Sequence, residues 1–257
     1  MTRFIHPLAL LAVIAVPAAG WFVADWSGGT TLAVYWFETV ATCLAISAQI
    51  LVHQRWNPRR GHFEYAAPSG GRGSARTSFV RGFLGTSLTF SAAHAVFLAV
   101  ILFLLDHNGD GDLADVDWRS VAVGCGSVLV LLAIDFLADL ANLRQRTFLD
   151  MERTANQALG RVMVVHLTLI FGLFAVAVTA APTALFGVFV VLKSLFALTM
   201  VLPQWEPATA PGWLSRVMNR VPNVHPGKRF EEVWSEDRAD ENVRRARNDQ
   251  PWDTAKR

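Results

Sequence analysis

Two cysteines in 257 residues, Cys43 and Cys125, both inside apolar runs, exclude a disulfide-stapled fold and read as small packing hydrophobes. Charge is also scarce. Asp, Glu, Lys and Arg together make up 17% of the chain, against about a quarter in soluble domains. A net charge of +2, with no concentrated basic patch, excludes nucleic acid as a partner. The apolar segments nowhere alternate with period two, which rules out a membrane β-barrel. There is no strand-to-helix nucleophile elbow and no His-x-x-x-His or Glu-x-x-His pair, so hydrolase and metal chemistry lack a motif and an enzyme is disfavoured.

Apolar residues dominate at 53%. They form six runs, over 4–23, 30–52, 78–105, 120–142, 162–180 and 183–201, each about the 20 residues that cross a hydrocarbon core at 1.5 Å per residue. The expected architecture is all-α: a polytopic membrane protein with a six-helix transmembrane domain over 1–201 and a cytoplasmic tail over 202–257. Of the 23 basic residues, all but Arg119 and Lys193 precede the first run, lie between the second and third or fourth and fifth, open the third (Arg81), or follow the sixth. That asymmetry places both termini in the cytoplasm and the protein in the plasma membrane. Trp26 and Trp118 at one edge, with Trp56 and Trp205 at the other, suit interfacial aromatic belts. The first run also carries a signal-peptide-like VPAAG, but its apolar character continues through Trp21, Phe22 and Val23, which favours a retained helix.

Ionisable groups at bilayer depth are costly, yet at least six sit there: Glu38, His94, Asp135, Asp139, His166 and Lys193. Counting along the helices pairs Glu38 with Lys193 and Asp135 with His166. Ser87, Ser91 and His94 share one face at helical spacing, as do Asp135, Asp139 and Asn142, and Glu38 with Thr42. Such stripes belong against other helices or a wet cavity, where they form a relay for protons or a small solute, or fix helix register as structural pairs. A haem or metal between His94 and His166 is a third option, unsupported by any second ligand motif.

Between the third and fourth runs, DHNGDGDLADVD follows the spacing of an EF-hand or dockerin-like calcium loop. Asp106, Asn108, Asp110, Asp112 (through its carbonyl) and Asp117 stand at ligand positions and Gly111 at the turn. Ala114 replaces a usual ligand and Asp117 the usual Glu. An acidic turn that merely keeps this side negative is the simpler alternative. In the tail, GWLSRVMNRV places Trp213, Leu214, Val217, Met218 and Val221 on one face with Arg216 and Arg220 beside them, as in a short interfacial helix. The tail is otherwise a solvated helix or free segment, open to a protein partner.

LAVYWFETV, with His94, GRVMVVHLTLIFG and VVLKSL, resembles a bacterial family of polytopic membrane proteins classified only as a domain of unknown function, with a Tyr-Trp-x-Glu pattern in the second helix. The resemblance implies that Glu38, His166 and Lys193 are positions the family shares. Thr39, where Asn is expected, and the calcium-like loop depart from it. It implies no activity. Two functions remain: a small transporter or proton-coupled membrane protein, and a non-transporting structural or regulatory protein with an external calcium loop.

Overall fold

The computed structural model describes residues 12, 13, 15–68, 77–109, 111–179, 206–221 and 227–252, with 164–179 as backbone alone. Every regular element among them is helical: α1 (Gly28–Trp56), α2 (Arg60–Phe63), α3 (Phe79–His107), α4 (Gly111–Ala114), α5 (Trp118–Leu143), α6 (Phe148–Thr179), α7 (Gly212–Met218) and α8 (Phe230–Asn248). Residues 15–22 are helical as well. Among the described residues, three stretches are long and apolar enough to cross a membrane: α1, α3, and Gly111–Leu143, which ends in α5. Of the other expected runs, 4–23 is only partly described and 183–201 lies outside the described residues.

The chain divides into two compact units. The first holds 1–57, 80–146 and 150–202, and the second 58–79, 147–149 and 203–257. In the first, α1 is buried on several faces, from Gly28 to His53. Leu32 and Tyr35 pack with Leu98, Ile101 and Leu105 of α3, while Val34 and Ala41 pack with Val128 and Leu132 of α5. α3 and α5 bury one stripe each and expose Val96, Val100, Phe103, Val123, Val130 and Leu137. Contiguous apolar surface of this kind suits a lipid solvent.

The start of α1 is stitched to the loop before α5. Ser27 caps α1 and donates its hydroxyl to the Asp115 carbonyl at 2.6 Å, and Thr30 Oγ1 accepts from the Asp117 amide at 2.9 Å. Small residues permit this approach: a Cβ on Gly29 would lie 2.6 Å from the Ala114 carbonyl oxygen. Likewise a Cβ on Gly124 would lie 2.8 Å from the Trp26 ring and 2.9 Å from Val34. Trp26 therefore packs inward, whereas Trp118 is exposed and Trp56 lies beneath the Arg144 guanidinium at 4.7 Å. Both cysteines are free.

α6 differs from its expected span, because it begins at Phe148 rather than near 162. Phe148, Met151, Ala155, Ala158 and Val162 are all buried. Their spacing of three and four residues makes a continuous apolar stripe along the helix. Arg153 and Arg161, read from sequence as loop cations, are thus helical.

In the second unit, the tail and residues 58–68 are knitted together. The Arg60 amide donates to the Gln250 carbonyl at 2.8 Å and the Trp252 amide to the Pro58 carbonyl at 3.0 Å. The Asn248 side chain, fully buried, accepts from the Ala66 amide at 3.1 Å and donates to its carbonyl at 3.0 Å. Trp252 stacks on Phe63 at 4.7 Å, and Phe148 meets the rings of His62, Tyr65 and Phe79. Of the two forms expected for the tail, a solvated helix or a free segment, residues 230–248 take the helical one, α8, and its end is tied to residues 58–68.

Candidate functional site

The most deeply buried charges lie in the first unit. Glu38 Oε1 accepts from Arg161 Nη1 at 2.9 Å, with side-chain exposures of 0% and 3%. Glu38 is ten residues into α1, about 15 Å along its axis. Tyr35 and Trp36 position this stretch: Tyr35 fills the α1–α3 core, and Trp36 donates its indole N–H to the Ser91 carbonyl at 2.9 Å.

α3 turns its polar stripe inward, with Ser87, Ser91 and His94 at 0%, 2% and 1% exposure. The Ser87 hydroxyl lies beside the Cys43 thiol, which the charges of Glu38 and Arg161 also reach. With the Trp36–Ser91 contact, this antiparallel register puts His94 near the level of Tyr35 and Trp36. Ser and Thr hydroxyls in helices commonly bond the carbonyl one turn back, as Thr39 does to Tyr35 and Ser47 to Cys43. Thr42 and Ser91, though buried, direct their hydroxyls to no partner among the described residues. A buried hydroxyl normally finds one, in protein, water or ligand.

A second knot lies further along α5. Asp139, 2% exposed at its side chain, accepts from Arg146 Nη2 at 2.6 Å, and the Arg146 carbonyl lies 3.0 Å from His53 Nε2. Asp135, buried one turn earlier on α5, shares the Asp139 face.

Among the described residues, Glu38 thus meets Arg161 and Asp139 meets Arg146. The sequence reading missed Arg161, Arg146 and His53 as members of the site. The signal for Arg161 was the 3–4 spacing of apolar residues running through 148–162, which places that arginine inside a helix. His53 lies on the Thr42 face of α1, about three turns on. His166 is on the described backbone of α6, but its side chain lies outside the described residues, as does all of Lys193.

In the loop after α3 only part of the expected ligand set is described. Asp106 ends within α3 and is exposed, Asn108 and Asp112 are exposed, and Asp110 lies outside the described residues. Both Asp117 carboxylate oxygens cap α5, accepting from the Arg119 amide at 3.0 Å and the Ser120 hydroxyl at 2.6 Å. Among the described residues, no three His, Cys, Asp or Glu side chains are grouped to hold a metal.

Among protein families, residues 3–211 match DUF6498, described as a family of unknown function. No curated protein and no solved structure matches the chain.

Proposed function

The chain belongs to this family of unknown function, and we propose that it is a multi-pass plasma-membrane protein that carries protons or a small polar solute along a buried polar seam. The observation that carries this reading is the Glu38–Arg161 pair, set at mid-helix depth beside the inward stripe of Ser87, Ser91 and His94. Intramembrane ionisable groups are expensive and face bundle interiors or wet pathways where they work. The hydroxyls of Thr42 and Ser91, buried without a partner among the described residues, supply hydrogen-bonding groups for water or solute next to that pair. Asp135 and the Asp139–Arg146 pair continue the line toward the end of α5. Six membrane spans with both termini cytoplasmic complete the proposal, supported by the one-sided placement of basic residues.

The test combines flux with seam accessibility. In a Cys125→Ser background, small charged thiol reagents modify Cys43 if the seam is wetted, and proteoliposomes acidify or take up solute on an imposed gradient. Glu38→Gln abolishes that flux. A Cys43 thiol inert in bilayers, together with no flux of protons or solutes across a broad screen, overturns the proposal in favour of a register-fixing ion pair.

A further inference from the structure

α7 shows a face that the sequence pattern had not resolved. Ser215 is buried at 4% and Leu214 and Met218 are half-buried, so the helix rests on that side. Asn219 fastens its end to α8, donating to Glu231 Oε2 at 3.1 Å and accepting from the Phe230 amide at 2.8 Å. The opposite side presents Trp213, Arg216 and Val217, and the turn that follows the helix carries Arg220 and Val221, all five exposed. Trp213 is 60% exposed and Val217 53%. An indole and two valines interleaved with two guanidinium groups make a surface that water suits poorly.

From this we infer that the outward face of α7 is a docking surface for anionic phospholipid headgroups. Two arguments choose this occupant. The face has no acidic side chain, so its charge complements a phosphate-bearing surface. Trp at a membrane boundary places its ring among headgroups while neighbouring apolar groups enter the acyl edge. The last apolar run ends at 201 and α7 starts at Gly212. Ten intervening residues span at most ~36 Å, which holds α7 near the bilayer that the run would enter. Each arginine near an anionic surface changes docking by about fivefold, so the two together give about thirtyfold.

The full chain with Cys43→Ser, Cys125→Ser and Val217→Cys carries a nitroxide at 217, in nanodiscs of phosphatidylcholine alone or mixed with phosphatidylglycerol. A second label introduced through Glu232→Cys on α8 reports the water-exposed reference. The expected result is that oxygen collides with the label at 217 in preference to a water-soluble nickel chelate, more strongly with phosphatidylglycerol. Arg216→Gln with Arg220→Gln removes that lipid dependence while the label at 232 is unchanged. A label at 217 that stays as open to the nickel chelate as the one at 232 in both bilayers overturns the inference. Shielding from both collision partners, with spin–spin broadening, also overturns it and assigns the face to a second copy of the chain.

Discussion

Halving the Glu38–Arg161 pair is the most informative perturbation. At 2.9 Å, two unit charges in an effective dielectric of about 20 attract by about 6 kcal/mol. Removing them from water costs several kcal/mol per ion, so the intact pair contributes little net stability. Glu38→Gln leaves Arg161, 3% exposed, without that carboxylate, and the expected loss is about 3–5 kcal/mol. Arg161→Met takes that guanidinium from the Glu38 carboxylate, with a loss in the same direction. In the double variant both charges of the pair are gone and an apolar chain of similar length fills the arginine's place, so the loss falls to about 0–2 kcal/mol. The cycle therefore gives a coupling of several kcal/mol, measured by equilibrium unfolding of detergent-solubilised protein followed by circular dichroism. Losses that add to within about 0.5 kcal/mol in the double variant would refute the reasoning, since additivity marks residues that do not interact. The same double variant serves the flux assay, being folded but unable to conduct.

Gly124→Ala forces a Cβ to 2.8 Å from the Trp26 ring, while Gly126 has open space around it. The expected thermal-unfolding result is a loss of about 1–3 kcal/mol for the first and a change near zero, or a gain below about 1 kcal/mol, for Gly126→Ala. Asn248→Ala removes both hydrogen bonds to Ala66, costing about 1–3 kcal/mol and exposing the 58–68 segment to limited proteolysis. Glu241 is held well below the usual carboxylate range of 4.5, at about 2, chiefly by hydrogen bonding to Arg244 and then to Arg245. Because its folded value is depressed, its contribution is complete above about pH 4.5 and is lost as pH falls toward 2. Hydrogen exchange in α8 should accelerate over that window, by an amount equal to roughly 1–2 kcal/mol given the partial exposure, and Glu241→Gln should flatten the dependence.

Much of the first unit is legible in the sequence because its signals are local. The runs at 30–52, 78–105 and 120–142 correspond to α1, α3 and α5, and the inward stripe of Ser87, Ser91 and His94 follows from helical spacing alone. The partner of Glu38 was not legible by counting charges. Asp150, Glu152, Arg153 and Arg161 make 148–161 look like a loop on a hydropathy profile, although its apolar residues keep helical register. The second unit was hidden for a different reason. Asn248 meeting Ala66 is a side-chain amide imitating a backbone partner, a pairing that leaves no periodicity in either segment. Gly61 hints at it only after the fact, since a Cβ there would lie 2.4 Å from the Phe148 ring.

That amide imitation also sets a timetable. Ala66 and Asn248 are 182 residues apart, so at ribosomal rates of 5–20 residues per second the 58–68 segment waits roughly 10–40 s for its partner to be synthesised. Throughout that interval Phe63 has no Trp252 to stack upon, and the Ala66 amide and carbonyl are not yet matched to Asn248. A chain halted before residue 248 never closes this contact. The order of synthesis thus makes this contact among the last in the chain that can form.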